Sequence, residues 1–257
     1  MTYQSDVVRQ RFVRPFYTPL MHRFLGSMRR IVATSQQYAD SSAVLRRYRE
    51  KVEVIGLGLD PSSYPQPSAD CLARWKAQVG QDFFLFVGVL RYYKGLHVLL
   101  EACAGTDLPV VIAGDGPLAG ELRAQARALG LTRVHFTGAV GEEDKAALFT
   151  LCKAVVFPSH LRSEAFGVTL LEGALHGKPL ISCEIGTGSS YVNADGASGL
   201  VVPPQDPPAF RAAMRALAGD DARCAALGRG ARERFDTLFT AEKMALSYAR
   251  LYRELLQ

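Results

Sequence analysis

Two carboxylates, Glu164 and Glu172, stand eight positions apart in the segment 163–174. The apolar, β-branched run before them, residues 154–159, is typical of a buried strand, and Gly177 ends the helical pattern after them. These patterns put Glu164 in the loop after a strand and Glu172 about two turns into a helix. In open α/β sheets, that edge of the sheet holds the ligand.

The first turn of this helix offers free backbone N–H groups from about Phe166 to Val168, and Gly167 lets an anion approach closely. A phosphate at the helix end, flanked by two carboxylates that accept hydrogen bonds from hydroxyls, describes a nucleotide-sugar site. The alternative for the same pattern is an ordinary buried helix with a surface glutamate near each end.

A second phosphate-type loop, residues 88–95, lies between a predicted strand and a predicted helix. Gly88 at the strand end and Lys94 before the helix suit a diphosphate, because backbone donors and a point charge converge there. The alternative is a solvated turn with surface cations. The glycine-rich turn at residues 114–117 is interpreted as structural, since tight backbone geometry alone explains its glycines.

Strands and helices alternate from about residue 81 onward, which predicts a parallel sheet with right-handed crossovers in an α/β, Rossmann-like domain. The predicted strands there are 83–87, 109–113, 134–137, 154–159, 179–183 and 199–204, and helices are predicted at 96–104, 118–129 and 144–152, around Glu172, and after 204. Upstream, the pattern predicts helices at about 7–28 and 36–48, strands at 31–34 and 52–57, and a turn-rich linker up to Pro67.

The Glu-x7-Glu arrangement with Phe-Gly after the first glutamate resembles the donor site of retaining glycosyltransferases with the GT-B fold, family 4. The loop 91–95 and the Gly/Ser-rich segment 184–193 resemble mannosyltransferase-like members of polysaccharide pathways. The resemblance implies two facing Rossmann-like domains, of which the first is incomplete here, as in a truncated gene product or a fragment. The implied divisions are 1–66, the remnant of an N-terminal acceptor-side domain with its linker; 67–240, the donor-binding domain; and 241–257, a C-terminal crossover helix.

The resemblance also implies roles for individual residues. Glu164 and Lys94 would be catalytic, and Glu172 would bind the ribose hydroxyls. Arg91 would supply a second cation to the diphosphate, and Val140, in the loop after the strand at 134–137, would contact the nucleotide base. The other donor contacts would come from Gly88, Phe166, Gly167 and Val168. Cations and a helix dipole aimed at the departing nucleoside diphosphate would stabilise the reaction electrostatically. Because the chain has no Asp-x-Asp motif, the expected mechanism uses no metal and no cofactor beyond the donor, for which GDP-mannose is the first choice.

Basic residues are concentrated at the start of the chain, where residues 1–51 hold ten Lys/Arg against three Asp/Glu. The segment 9–30 mixes arginines with aromatic and aliphatic residues, which predicts either a helix on an anionic membrane surface or a domain helix with a solvated basic face. No apolar run is long enough to span a membrane, and no nucleic-acid-binding module is recognisable. The five cysteines lack disulfide or zinc spacing and are interpreted as reduced core residues of a cytoplasmic protein. The five histidines lack metal-ligand spacing and are interpreted as structural or surface residues.

The sequence therefore predicts a retaining, metal-independent glycosyltransferase that moves a hexose to a saccharide or lipid-linked acceptor, in the cytoplasm or on the inner face of the plasma membrane. The alternative is a nucleotide-sugar binding module without turnover. A dinucleotide oxidoreductase is disfavoured, because the loop 88–95 lacks a Gly-x-Gly-x-x-Gly fingerprint with an acidic residue about 20 positions on. A glycoside hydrolase would need two carboxylates facing one bond, whereas the phosphate-type loops favour a nucleotide ligand.

Overall fold

The computed structural model describes residues 1–4 and 14–257 of the 257-residue chain. Its strands form two parallel sheets, one with the order β1-β2-β3 and one with the order β6-β5-β4-β7-β8-β9. The strands are β1 (Thr2–Tyr3), β2 (Ile31–Ala33), β3 (Val52–Val54), β4 (Phe84–Val87), β5 (Val110–Ala113), β6 (Val134–Gly138), β7 (Ala154–Phe157), β8 (Leu180–Cys183) and β9 (Gly199–Val202).

Helices connect and cover these strands. They are α1 (Arg14–Ser27), α2 (Gln36–Ser41), α3 (Ala43–Arg47), α4 (Ala69–Val79), α5 (Leu96–Cys103), α6 (Ala119–Ala128), α7 (Glu142–Leu151), α8 (Val168–Leu175), α9 (Ser189–Val192), α10 (Pro207–Ala218), α11 (Asp221–Leu238) and α12 (Ala241–Leu256). In the part of the chain that the structure describes, no helix is long and apolar enough to cross a membrane.

The predicted strands are confirmed, but two helix predictions need comment. The single helix expected at 36–48 is wrong: the chain breaks at Ser42, which ends α2 and whose Oγ accepts the Leu45 amide of α3 (3.4 Å). The helix expected at about 7–28 is described from Arg14 onward, and its first residues lie outside the described part. The structure adds α4, α9 and β1, which the patterns did not predict.

The six-stranded sheet is buried on both faces, which is why its strands read as continuous apolar runs. Phe84 and Phe86 point to the face covered by α5, α6 and α10, whereas Leu85 points to the face covered by α4, α7 and α8. All five cysteines are buried, as predicted. The sheet thus holds its loops on a rigid, well-packed base.

The three-stranded sheet is smaller and takes its cover from two ends of the chain. Ile31 packs under Leu25 of α1, Tyr38 of α2 and Leu45 of α3. On the other face, Val32 packs against Leu251 of α12. The last helix therefore crosses back onto the first sheet, while the predicted domain limits at residues 66 and 240 stay predictions.

The connection between the two sheets is a short backbone pairing. The Leu59 N–H donates to the Phe239 carbonyl and the Ala241 N–H donates to the Leu59 carbonyl, both at 2.9 Å. Gly58 is required beside this pair, because a Cβ there would lie 2.4 Å from the Thr240 carbonyl oxygen. The linker and the start of α12 are thereby held side by side.

Candidate functional site

The strand order of the larger sheet reverses at β4, which lies between β5 and β7. Connections leave such a switch point in opposite directions, so a crevice opens beyond the carboxyl ends of the strands. The loop after β4 contains residues 88–95, and the loop after β7 contains Glu164. The His160 N–H donates to the Tyr93 carbonyl (3.0 Å) and ties these two loops together. The two predicted phosphate-type loops therefore meet at this crevice.

Lys94 and Glu164, the two residues predicted to be catalytic, form an ion pair. The Lys94 Nζ lies 2.5 Å from Glu164 Oε2, and each side chain is only 12% exposed. The Ser159 hydroxyl donates to the same carboxylate oxygen (3.3 Å), and the Lys94 ammonium lies 5.1 Å from the centre of the Phe157 ring. An anionic group entering the crevice would bind the ammonium of Lys94. The carboxylate of Glu164 would then lie beside the bound ligand.

Helix α8 begins beside this pair. Gly167, with φ +94°, precedes its first residue, Val168, so the helix starts two residues later than the pattern predicted. The Thr169 hydroxyl donates to the Val87 carbonyl at the end of β4 (3.1 Å). Phe166 is buried, with its ring 6.3 Å from that of Phe239, and its predicted backbone contact with a phosphate stays a prediction. The positive end of α8 is thus fixed against the β4 loop.

The glycines of the neighbouring loops allow close backbone packing. A Cβ on Gly114 would lie 2.0 Å from the Gly88 carbonyl oxygen, and one on Gly116 would lie 2.7 Å from the Leu90 nitrogen. These contacts explain the turn at 114–117 without a ligand, in agreement with its structural interpretation. They also fix the loop that leads to Lys94.

Two predicted contact residues occupy the edges of the crevice. Arg91 is exposed and forms no ion pair with residues 1–4 or 14–257, so its guanidinium remains available to an anion. Val140 is half-buried in the loop between β6 and α7 and packs against the core. Their proposed roles, to the diphosphate and to the base, stay predictions.

Glu172 lies on α8 and is buried, but two polar side chains reach it. Its Oε1 accepts a bond from the Lys145 ammonium (2.8 Å) and a longer one from the Tyr64 hydroxyl (3.4 Å). Lys145 belongs to α7 and also pairs with Glu142 (2.8 Å). The predicted ribose-binding carboxylate is therefore held by a helix and by the linker.

The titration behaviour of the two partners follows from this geometry. Burial, followed by the nearby charge of Glu172, raises the pKa of Tyr64 to about 12, so its hydroxyl stays protonated and able to donate. Burial by itself would lower the pKa of Lys145, but the bonds to Glu142 and Glu172 outweigh it and raise that pKa. Lys145 is therefore a permanent cation beside Glu172.

Sequence reasoning missed Lys145, Tyr64 and Arg162. Arg162, two residues before Glu164, donates to the Ser41 hydroxyl (2.8 Å) and to the Gly186 carbonyl (2.9 Å). Each contact joins residues far apart in the chain, which local patterns do not report. One usable signal was the position of Lys145, one helical turn after Gly141 and directly beyond the predicted base-binding loop.

The histidines pack as structural residues. His97 and His160 surround the Tyr92 ring, with centroid distances of 4.9–5.4 Å among the three rings. His176 stacks on Phe149 at 5.0 Å, and burial followed by neighbouring cations lowers its pKa to about 4. In residues 1–4 and 14–257, no three His, Cys, Asp or Glu side chains gather into a metal-binding group.

Comparison with known proteins decides the family. A family model described as glycosyl transferases group 1 matches residues 72–234, more than half of the chain. The chain belongs to this family. This chain is 59% identical, over 241 residues or 94% of its length, to the D-rhamnosyltransferase WbpZ of Pseudomonas aeruginosa. It is 50% identical over its whole length of 257 residues to the O-antigen chain mannosyltransferase C of Escherichia coli.

This chain spans 63% of the length of the first relative and 69% of the length of the second. Among solved structures, sucrose-phosphate synthase from Thermosynechococcus elongatus superimposes with a TM-score of 0.84 at 26% identity, covering 99% of this chain and 67% of the other. The fold is therefore of the GT-B type, as predicted from the sequence.

Proposed function

We propose that this protein acts as a retaining, metal-independent family 4 glycosyltransferase, moving a hexose from a nucleotide sugar to a saccharide or lipid-linked acceptor in surface polysaccharide assembly. The Lys94–Glu164 pair at the start of α8 carries the proposal. Lys94 and the helix dipole favour the negative charge of a leaving diphosphate, and Glu164 stands where positive charge grows on the sugar. The Glu-x7-Glu resemblance supports retention.

The proposed donor is GDP-mannose, with no cofactor besides it. The names of the two relatives, a mannosyltransferase and a D-rhamnosyltransferase, support a hexose or deoxyhexose donor and a place in O-antigen assembly. In this proposal Lys94 and Arg91 bind the diphosphate, Glu172 accepts hydrogen bonds from the ribose, and the base lies against the loop of Val140. A lysine and a helix end replace the metal ion that bridges the diphosphate in other glycosyltransferases.

Calorimetric titration with GDP, UDP and ADP, in the absence of divalent metal, tests the donor site. We expect saturable binding of GDP and, in Lys94→Met, at least about a tenfold loss of affinity for GDP with little change for guanosine, because Lys94 acts on the phosphates. The matched control is Lys153→Met. Lys153 is equally buried and ion-paired to Asp221, but it lies at the amino end of β7, the opposite edge of the sheet.

The outcomes separate the claims. A folded chain that binds no nucleoside diphosphate contradicts the proposed function, and equal losses for GDP and guanosine contradict the role of Lys94. A transfer assay with GDP-mannose then compares the enzyme with the alternative, a nucleotide-sugar binding module. Binding without transfer supports that alternative.

A further proposed partner is an anionic membrane surface on the cytoplasmic side. In α1, Tyr17, Leu20 and Phe24 are exposed at a spacing that puts them on one helical face, and Arg23 and Arg30 are exposed nearby. Apolar side chains flanked by arginines suit the headgroup region of such a surface. Residues 9–13 of the predicted basic segment lie outside the described part. Vesicle flotation measures this binding.

A further inference from the structure

Lys145 stands between two carboxylates and connects α7 to the buried glutamate of α8. Its Nζ lies 2.8 Å from both Glu172 Oε1 and Glu142 Oε2. The Lys145 and Glu172 side chains are 16% and 8% exposed, whereas Glu142 is open to solvent. A buried carboxylate is stable only when it is paired and hydrogen-bonded. Lys145 supplies that partner for Glu172.

The platform that carries Lys145 is rigid. The residues just before it, Glu143 and Asp144, hold α4 and its N-cap: Glu143 accepts from the Ser68 hydroxyl (2.7 Å) and Asp144 accepts from the Trp75 indole (2.8 Å). Helix α7 also packs its buried face against the core of the larger sheet. The ammonium is therefore presented from a fixed backbone.

The two oxygens of Glu172 are used unequally. Oε1 takes both protein bonds, from Lys145 and from Tyr64. Oε2 receives no hydrogen bond from any residue that the structure describes. An ionised carboxylate can accept on each oxygen, so Oε2 is left for an external donor while Oε1 holds the group in one orientation.

We infer that Lys145, assisted by Tyr64, is a positioning residue that fixes the Glu172 carboxylate with Oε2 toward the ribose hydroxyls of the nucleotide. This inference rests on the proposed function, in which Glu172 receives the ribose. A carboxylate held in its bound orientation loses less freedom when the ligand arrives, and that advantage is largest for ligands that carry both ribose hydroxyls. Lys145 therefore determines the preference for ribose over deoxyribose and leaves phosphate binding alone.

The experiment measures the affinities of GDP and 2′-deoxy-GDP by calorimetry for the wild type and variants. Lys145→Met is expected to weaken GDP binding roughly tenfold and 2′-deoxy-GDP binding, which keeps only the 3′-hydroxyl, by about threefold or less, so the ribose preference falls. Lys145→Arg should restore most of the preference, because it keeps a cation within reach of Glu172. Lys178→Met, which removes a lysine bonded only to backbone carbonyls at the far edge of the sheet, should leave the preference unchanged.

Thermal unfolding of each variant reports whether it folds, and Lys145→Gln, which keeps a donor for one carboxylate, replaces an unfolded methionine variant. Equal losses for both nucleotides, or an unchanged preference in a folded variant, overturn the inference. Failure of the proposed function looks different, because the wild type then binds neither nucleotide. If wild-type preference is lost in Glu172→Ala but kept in Lys145→Met, the ribose site stands and the positioning role of Lys145 is wrong.

Discussion

Both sheets are parallel and both carry helices on two faces, yet their covers come from different parts of the chain. The six-stranded sheet is covered by helices that neighbour its own strands in sequence, and its core includes the large aromatic cluster around β4. The three-stranded sheet depends on α12, the last helix, to cover Val32 and Ile55. The candidate site lies on the loops of the six-stranded sheet. A change that destabilises only the three-stranded sheet should therefore leave donor binding unchanged.

The largest expected effect is at Gly95, where the loops of the larger sheet touch. Gly95 has φ +70°, and a Cβ there would lie 2.0 Å from the Pro158 carbonyl oxygen. Gly95→Ala should push the β4 loop away from the β7 loop, separating Lys94 from Glu164. We expect a loss of roughly 2–4 kcal/mol in unfolding free energy and more than a tenfold loss of GDP affinity, measured by denaturant unfolding and calorimetry.

Gly105→Ala is the matched control for that substitution. Gly105 has a similar φ of +68°, but a Cβ on it would meet no atom of the described residues within 4 Å. This variant should lose about 1 kcal/mol from backbone strain alone and keep its affinity for GDP. If both variants bind GDP equally well, the contact between the two loops does not hold the site together.

A smaller effect is expected at Leu251, which α12 buries against the three-stranded sheet. Leu251→Ala should destabilise that sheet by about 2–3 kcal/mol through the lost apolar contact and the cavity. Amide hydrogen exchange should speed up in β2 and β3, while β4 to β8 and GDP affinity remain unchanged. The control is Leu246→Ala, since Leu246 on the same helix is 61% exposed. Equal loss of protection in both sheets would show one cooperative unit and remove the distinction.

The same contrast explains what could be predicted from the sequence. Apolar, β-branched runs such as residues 154–157 identify strands because both faces of the larger sheet are buried. That the loops of Lys94 and Glu164 meet at one crevice follows from the rule that ligand loops gather at the carboxyl ends of parallel strands, but the ion pair between the two side chains was not predicted. The start of α8 and the break at Ser42 did not follow, because local capping decides them to within a few residues.

Sequence reasoning missed the contacts of Lys145, Tyr64 and Arg162 for a different reason. Lys145 reaches Glu172 across 27 positions, Tyr64 reaches it across 108, and Arg162 reaches Ser41 across 121. No periodicity or motif encodes a side-chain contact over such separations; only the packed arrangement of helices and linker brings these groups together. Helix α4 was also missed, although its capping residues, Ser68 and Gly80, are local signals that the sequence displays.

The smallest expected effect concerns the exposed apolar face of α1, on the side of the smaller sheet. Leu20 is 69% exposed, with Phe24 one turn further along. Leu20→Ser combined with Phe24→Ser should lower binding to vesicles containing phosphatidylglycerol by roughly tenfold, because about 1.5 kcal/mol of apolar contact is removed. Vesicle flotation of the wild type and the variant measures the difference.

Two controls tell a membrane-binding face of α1 from general stickiness. Leu129→Ser with Leu238→Ser changes exposed leucines at the C-terminal ends of α6 and α11, away from α1, and should leave flotation unchanged. Wild-type flotation should weaken at high salt and on neutral phosphatidylcholine vesicles, because the flanking arginines act through screened charges. If the α1 variant floats as well as the wild type, the exposed face of α1 does not bind membranes. The two sheets would then differ in stability but not in membrane binding.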